Sequence, residues 1–416
     1  MNSSARSGAL TTRVDRVATV SARIGWKALT ADEYQPEGFA FLSTPNIKSV
    51  NIDFTNVNYI SEFRYSESPQ LQLALGDVLL VKDGNTLGIT NVVSKLPRPA
   101  TVNGSIAVLR PFAAEPRFLR YVLDSAGTQQ AIESLRGGMG VPHLFQWDIN
   151  RLRLPLRTME DQHSIADYLD TEIAHIDALI AKKRRMIELV QDKRWAVLDE
   201  QIARAEAPSV PIRRVLDSLT DGPFGSAFAS ADYATDGVAV VRLGNIGFAE
   251  WRAGDLVYLP LSRHAEFRQF TVVPGDLLVA ALGDERNHAG RACVAPVHGP
   301  MIVKGKCFCG RVNRSRAIPK YLAMVLSSPA GAQAITVEAR GSTRQMINLE
   351  ILKNCRIPLP SYADQRAVVD AVEAAWSLAA RTIALLTRQI DLLAERRQAV
   401  VTAAVTGELA IPGAVA

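Results

Sequence analysis

The chain of 416 residues carries one unit twice, and this duplication limits its possible folds more than any other feature. The stretch "GDVLL" at 76–80 matches "GDLLV" at 275–279, an offset of 199 residues. Further on, "PRFLRYVLDS" at 116–125 matches "PKYLAMVLSS" at 319–328, an offset of 203 residues. An internal repeat means that one structural plan is built two times. We therefore expect two similar units, with about four extra residues in a middle loop of the second copy.

Each copy begins with a globular part that mixes strand and helix patterns. Short apolar runs such as "GDVLLVK" and "GVAVVRL" alternate with Gly, Asn and Asp turns, which is typical of strands. The matched stretches "RFLRYVLDS" and "KYLAMVLSS" have the apolar spacing of an amphipathic helix. The sequence therefore predicts an α+β fold with two pseudo-repeated globular domains, at 1–157 and 208–360.

A long helix is predicted after each globular part, a central one at 158–207 and a C-terminal one at 361–416. Proline ends the short strand before each helix, in "RLRLPL" and "CRIPLP". The stretches "TMED" at 158–161 and "SYAD" at 361–364 then fit a capping pattern, in which a Ser or Thr oxygen accepts from helix N–H groups. The same start signal occurs at the same place in both copies.

Apolar residues recur in both helices at alternating spacings of three and four, in matched phase. An apolar stripe at helical spacing usually means ordinary core packing, but matched phase in two distant segments favours helices that pair with each other. We therefore expect an antiparallel coiled coil that acts as a spacer. The residues expected to pair are Ile173, Ile176, Ile180, Ile187 and Val190 in the first helix, and Trp376, Ile383, Leu386, Ile390 and Leu393 in the second.

Charge separates the globular domains from the helices. The domains at 1–157 and 208–360 have net charges of +4 and +6, whereas the segments 158–207 and 361–416 have −4 and −1. Basic modules on acidic helices are typical of proteins that bind nucleic acid through the modules and other proteins through the helices.

No motif for catalysis or metal binding is evident. The stretch "GPMIVKGKC" at 299–307 has one residue too many between its glycines for a phosphate-binding loop, and it ends in Cys instead of Ser or Thr. Six histidines are scattered without ligand spacing, and the four cysteines lack a C-x-x-C pair, so we expect buried reduced thiols. No apolar run approaches the ~20 residues that span a bilayer, which predicts a cytoplasmic protein.

The combined pattern resembles the specificity subunit of type I restriction-modification systems, over nearly the whole chain. The segments 22–47 and 221–246 look like the starts of that family's two target recognition domains. "GGMGVPHLFQWDINRLRLPLR" and "GSTRQMINLEILKNCRIPLP" look like their ends, and "IADYLDTEIAHIDALIAKKRRMIELV" looks like its spacer helix. One departure from the family pattern is that no such helix precedes the first recognition domain.

The resemblance implies a non-catalytic subunit that recognises double-stranded DNA. Each recognition domain would bind one half of a bipartite, asymmetric site, and the helix pair would set the gap between the halves. Two methyltransferase subunits would dock on the helices, where Leu179, Leu189 and Leu385 are expected to need cover, and a motor and endonuclease subunit would join them. S-adenosylmethionine, ATP and Mg would act in those partners, so no cofactor is expected in this chain.

Polar residues in turns and loops are the candidates for DNA contact, either with bases or with phosphates. Trp26 and Phe224, in the loops that begin each domain, are further candidates, although each fits a core role equally well. The predicted DNA-binding residues are Arg23, Lys27, Lys48 and Lys82 in the first domain, and Arg242, Asn245, Arg286, Arg291 and Arg344 in the second.

Two alternative functions remain compatible with the sequence. The chain could be the specificity partner of a bifunctional type II restriction-modification enzyme, which would use the same architecture with a different partner. It could also be a tandem-domain scaffold for another polyanion such as RNA, although the strands lack the aromatic enrichment of common RNA-binding folds.

Overall fold

The structure is a computed structural model, and the chain divides into two compact units. Unit 1 comprises Met1–Lys183 with Thr387–Ala416, and unit 2 comprises Arg184–Leu386. Each long helix therefore contributes one part to each unit, whereas the four-segment domain division remains a prediction. The described residues are 11–22, 29–135, 142–155, 157–223, 227–228, 230–254, 256–338 and 346–414.

Unit 1 combines short strands with five short helices and the beginning of a long one. Its strands are β1 (Thr11–Arg13), β2 (Ala18–Ser21), β3 (Phe39–Leu42), β4 (Asn58–Ile60), β5 (Val78–Val81), β6 (Thr90–Val92), β7 (Ala100–Val102), β8 (Ile106–Pro111) and β9 (Arg153–Pro155). The α-helices are α1 (Thr44–Ile47), α2 (Glu62–Ser66), α3 (Pro116–Asp124), α4 (Ala126–Ser134), α5 (Gln146–Arg151) and the long α6 (Met159–Arg204).

Unit 2 repeats this order with one additional strand, and it has 3-10 segments where unit 1 has its first two short helices. Its strands are β10 (Ser209–Pro211), β11 (Leu216–Asp221), β12 (Val238–Val241), β13 (Val257–Leu259), β14 (Thr271–Val272), β15 (Leu277–Ala280), β16 (Ala292–Val294), β17 (Met301–Val303), β18 (Cys307–Val312) and β19 (Arg356–Pro358). The α-helices are α7 (Pro319–Ser327), α8 (Pro329–Glu338), α9 (Leu349–Asn354) and the long α10 (Tyr362–Thr406), and a 3-10 segment spans Leu261–Phe270.

The sheets of the two units follow one plan. In unit 1 an antiparallel sheet has the order β2-β8-β5-β6, and a smaller sheet has the order β4-β3-β7. Unit 2 has β11-β18-β15-β16 and β13-β12-β17-β14. In both smaller sheets one pair is parallel, β3 with β7 and β12 with β17. The predicted α+β duplication is confirmed.

The central strands β5 and β15 lie between two cores, which explains their unbroken apolar sequence. Val78 and Leu80 pack in the core that includes α3, whereas Leu79 and Val81 pack in the core of the smaller sheet. The same alternation places Leu277 and Leu278 in different cores of unit 2. A strand that is buried on both faces needs apolar residues at consecutive positions.

The extra residues of the second copy are spread over several loops, which corrects the expectation of one longer middle loop. The strand registers equate Val92 with Val294, so the offset rises from 199 to 202 between β5 and β6. It then falls to 201 where Ala100 matches Met301, and it reaches 203 only at α3 and α7. Surface loops accept such length changes at little free-energy cost.

The starts of both long helices are fixed by the predicted caps and by a buried glutamine. The N–H of Asp161 donates to the Thr158 hydroxyl at 3.1 Å, and the N–H of Asp364 donates to the Ser361 hydroxyl at 3.2 Å. One residue further on, the buried Gln365 amide donates to the Pro360 carbonyl and accepts from the Ile318 N–H. Gln162 makes the corresponding bonds in unit 1. These bonds tie each helix to its globular part.

The long helices pair antiparallel, as predicted from their heptads. In unit 1, Lys183 donates to Gln389, and Arg397 lies 3.3 Å from Asp177. The buried Ile173, Ile176 and Ile180 share a core with Ile390 and Leu393.

In unit 2 the helix pair is closed by an aromatic contact. The Trp376 indole N–H donates to the Arg194 carbonyl at 2.7 Å, and its ring meets Trp195 edge-on. Leu386 is buried, whereas Ile187, Val190 and Ile383 are half-buried. The contact predicted for Ile187 remains a prediction.

Candidate nucleic-acid interface

Two parallel strands of unit 2 end side by side and carry cations at their ends. Val241 of β12 is opposite Val303 of β17, and the chain continues with Arg242 and Lys304. The Lys304 N–H donates to the Val241 carbonyl at 3.0 Å. Because the carboxyl ends of adjacent parallel strands meet at one edge, residues distant in sequence become neighbours there.

Arg242, Lys304 and Lys306 form what we call the basic edge of unit 2. They line an open pocket of about 440 Å³ that is also lined by Gly244, Gly254 and Gly305. Lys306 is exposed and adopts a φ of 73°. The pocket combines three positive charges with accessible backbone, which suits a polyanion.

Lys304 of the basic edge is held by aromatic neighbours. Its ammonium donates to the Tyr233 hydroxyl at 2.8 Å. It also lies 5.2 Å from the ring centroid of Phe228 and 5.4 Å from that of Tyr233, within the range of cation–π attraction. The side chain is half-buried, so its position is fixed by these aromatic residues.

Gly222, near the start of the second predicted recognition domain, and Met346, near its end, both lie next to the basic edge. Gly222 lies so close to the Lys304 backbone that a Cβ atom would come within 2.2 Å of the Lys304 carbonyl carbon. On the other side, the Lys306 ammonium lies 3.3 Å from the Met346 sulfur. The segments that resemble the start and the end of a recognition domain therefore meet here.

Unit 1 builds the same edge from neutral residues, Ser43, Asn103 and Ser105, which we call the neutral edge. The Asn103 N–H donates to the Leu42 carbonyl at 2.8 Å, as Lys304 does to Val241. The Ser43 N–H donates to the Asn46 side chain at 2.9 Å. The Arg242 N–H donates to the Asn245 side chain at the same distance. The two backbones match while the side chains differ in charge.

A charged and aromatic cluster adjoins the neutral edge. The Asp83 carboxylate pairs with Lys82 at 2.9 Å and also contacts the His143 ring. Next to it, Phe145 meets His143 edge-on and stacks with Trp147, with ring centroids 6.0 Å apart. Phe145 and Trp147 are 48% and 54% exposed. Exposed neighbouring aromatics of this kind are typical of binding surfaces.

Three of the predicted DNA-binding residues are buried and have internal partners. Lys82 is paired with Asp83, and Asn245 donates to two backbone carbonyls, those of Arg252 and Gly254. Arg291 is 4% exposed, and burial lowers its pKa from the ordinary value. Its guanidinium donates to the carbonyls of Ile246, Leu282, His288 and Leu243. These bonds support the loops around the edge, and we do not propose the three side chains as direct DNA contacts.

The other predicted DNA-binding residues differ in accessibility. Lys48 and Arg286 are exposed, and Arg242 is half-buried at the basic edge. Arg23, Lys27 and Arg344 lie outside the described residues, as do Trp26 and Phe224.

Sequence reasoning missed Lys304, Lys306 and the Phe145–Trp147 stack. The two lysines fall in "MIVKGKC", which drew attention only as a failed phosphate-binding loop. One sequence signal could have pointed to the two lysines. They directly follow an apolar run in the second repeat, whereas the matching stretch of the first repeat, "ATVNGSI", has no charged residue.

The helix pair carries a second candidate surface. Leu189 and Leu385 are 51% and 67% exposed, as expected, whereas Leu179 is half-buried. In unit 2, Val190, Val197 and Leu378 line an open groove of about 340 Å³ between the helices. Large exposed apolar side chains on paired helices favour contact with other proteins.

The described part of the chain bears on metal binding, thiol chemistry and membrane insertion. There, no group of three or more His, Cys, Asp or Glu side chains could hold a metal ion. Among the helices of these described residues, none is both long and apolar enough to cross a membrane. All four cysteines are buried and free, as expected, and burial raises the pKa of Cys293 and Cys307 to about 12.

Curated proteins with similar sequences are type I restriction enzyme specificity subunits. The EcoBI specificity subunit of Escherichia coli is 23% identical over 318 residues, covering 70% of this chain and 65% of that protein, just under two thirds of its length. The MjaVIII specificity subunit of Methanocaldococcus jannaschii is 19% identical over 415 residues, covering 92% of this chain and 89% of the relative. No protein-family model matches the chain.

The fold is also found in a solved structure. A chain from work on complex assembly and conformational transition of the type I R-M system superposes with a TM-score of 0.67 at 18% identity. The match covers 96% of this chain and 98% of that chain. In sequence this protein is therefore similar to type I specificity subunits, and its fold matches that of a chain from a type I R-M system.

Proposed function

We propose that this chain is the DNA sequence-specificity subunit of a type I restriction-modification complex, without catalytic activity of its own. One observation supports this proposal most directly. The basic edge and the neutral edge have matching backbone hydrogen bonds but carry different side chains. Unit 2 places Arg242 and Lys304 where unit 1 places Ser43 and Asn103. One fold that presents two different surfaces suits an asymmetric site with two unlike halves.

The helix pair would set the gap between the two half-sites. The helices contain 46 and 45 residues, and a helix of that length extends about 70 Å at ~1.5 Å per residue. Each helix contributes packed residues to both units. A change in helix length would therefore act on the gap and leave the recognition edges intact.

The partners are those that the resemblance to type I specificity subunits implies, and exposed apolar residues of the helices are the proposed docking surface. Two methyltransferase subunits would cover surfaces around Leu189 and Leu385, and a motor and endonuclease subunit would complete the complex in the cytoplasm. S-adenosylmethionine, ATP and Mg would act in those subunits. The complex would methylate host sites and act in defence against foreign DNA.

Methylation mapping tests this function. The chain would be co-expressed with a type I methyltransferase subunit from its source organism, in a host that lacks other adenine methylation, and modified adenines would be mapped across the genome. We expect one bipartite, asymmetric motif with a fixed gap. The methyltransferase subunit alone is the control and should give no such motif.

Other outcomes would point to different functions. A motif that appears only with a fused bifunctional endonuclease would favour the type II alternative. No motif with either partner, together with preferential binding of RNA over duplex DNA, would favour the polyanion scaffold.

A further inference from the structure

We propose that unit 2 recognises its half-site through the basic edge, with Arg242 contacting the acceptor edge of a guanine and Lys306 contacting a DNA phosphate. The neutral edge of unit 1 has no side chains of this kind at the matching positions. This inference rests on the proposed function and adds the chemical basis for the difference between the half-sites.

Arg242 starts from a fixed backbone position. Its N–H donates to the Asn245 side chain, and Asn245 in turn donates to the carbonyls of Arg252 and Gly254. The loop that carries Arg242 is therefore held from both sides. A guanidinium presented from a rigid loop suits the paired O6 and N7 acceptors of guanine in the major groove.

The counterpart of Arg242 in unit 1 is Ser43, whose hydroxyl makes a hydrogen bond within its own turn. That hydroxyl donates to the Asn46 side chain at 2.9 Å, and the Asn46 amide donates to the Asn56 carbonyl. The same asparagine-centred turn thus carries a long cationic side chain in unit 2 and a short neutral hydroxyl in unit 1. The two units offer different hydrogen-bonding groups at one position.

Lys304 and Lys306 have different positions within the basic edge. Lys304 is held by the Tyr233 hydroxyl and by two rings, so it contributes positive potential and positions its neighbours. Lys306 is exposed, and its hydrogen bond is to the Met346 sulfur, a weak acceptor that a phosphate oxygen can replace. A flexible ammonium acts as a point charge for phosphate.

Lys82 lies beside the neutral edge, where its N–H donates to the Ser105 carbonyl, and its charge is compensated. Lys82 pairs with Asp83, whose carboxylate also contacts His143. The pair leaves little net positive charge for a phosphate or for a guanine edge. The two half-sites would therefore be recognised by different chemistry, in line with an asymmetric DNA site.

Four variants of the full chain, each assembled with its methyltransferase subunits, test the two roles. Arg242→Ser reproduces the unit 1 residue, and Arg242→Lys keeps the charge but removes the planar fork. Both should lose discrimination for guanine at one position of one half-site by roughly 5- to 150-fold, the equivalent of ~1–3 kcal/mol. The other half-site and the gap should stay unchanged in the methylation map.

Lys306→Ser should leave the methylated motif unchanged and weaken binding. The slope of log Kobs against log salt concentration should become shallower by about 0.9, the contribution of one phosphate contact. Lys306→Arg keeps the charge and is the matched control, so its slope should equal that of the wild type. Unfolding midpoints of all four variants should match the wild type, which excludes misfolding as the cause.

An unchanged motif with Arg242→Ser would overturn the guanine contact. An unchanged salt slope with Lys306→Ser would overturn the phosphate contact. Failure of the proposed function is distinguishable from both, because then the wild-type complex itself would give no bipartite motif.

Discussion

At the scale of single residues, buried polar side chains in this protein hold loops and helix ends in place. Gln162 and Gln365 occupy matching positions at the helix starts, and each bonds to backbone groups of its own globular part. Arg291 does the same for the loops near the basic edge. Such groups stabilise a unique arrangement because their buried partners would otherwise lose their hydrogen bonds.

Replacing Gln365 should therefore be costly. The side chain is fully buried and bonds to the Ile318 N–H and to the carbonyls of Arg316 and Pro360. We expect Gln365→Leu to lower the free energy of unfolding by about 2–4 kcal/mol, because several buried backbone groups lose their partner. Denaturant unfolding followed by circular dichroism measures this.

Gln389→Leu is the control, because Gln389 is exposed and accepts a solvent-exposed hydrogen bond from Lys183. Its effect should stay within about 0.5 kcal/mol. Equal effects of the two substitutions would contradict the role assigned to Gln365.

At the scale of elements, the paired helices combine a packed seam with exposed apolar positions. Trp376 belongs to the seam: its ring packs against Trp195, and the Arg194 guanidinium lies 4.1 Å from the ring centroid. Leu189 and Leu385 are exposed on the same helices. The seam stabilises this chain, and the exposed positions are available to partner subunits.

Truncating the seam should destabilise the chain. Trp376→Ala removes a large buried ring and a hydrogen bond, and should cost about 3–5 kcal/mol. Leu378→Ala on the same helix, where the side chain is 59% exposed, should cost less than about 0.5 kcal/mol. Thermal or denaturant unfolding of both variants checks the difference, and similar midpoints would contradict the observed packing.

Charging the exposed positions should act on assembly and not on folding. We expect the double variant with Leu189→Asp and Leu385→Asp to keep its unfolding midpoint but to lose co-purification with methyltransferase subunits, because a carboxylate in an apolar interface is poorly solvated. Leu75→Asp, at a leucine that is 68% exposed in unit 1, is the control and should retain binding. Full assembly of the double variant would show that the partners dock elsewhere.

The elements could be predicted from the sequence because their signals are local. The helix caps depend on residues a few positions apart, and the repeat can be read by comparing short segments of the sequence; the structure confirms both caps and the duplicated fold. The basic edge was harder to predict from the sequence, because Arg242 and Lys304 become neighbours only through the parallel pairing of β12 with β17. Burial of Lys82 and Arg291 also depends on acceptors distant in sequence.

At the scale of the whole molecule, the duplication predicts that recognition is modular. Each unit has its own sheets and cores. Replacing 208–360 with the equivalent domain of a related subunit should therefore change one half of the methylated motif and leave the other half unchanged. Genome-wide methylation mapping shows the result, and a change in both halves would mean that the units do not recognise DNA independently.

The most direct test of the account lengthens both helices without touching either edge. One heptad would be inserted after Lys183 and another after Leu386, the positions where the chain passes between the units. Seven residues add roughly 10 Å and keep the heptad phase to within about 20°. Methylation mapping should then show both half-sites unchanged and a longer gap between them. An altered half-site with the original gap would contradict the claim that the units recognise the sequence and the helices set its spacing.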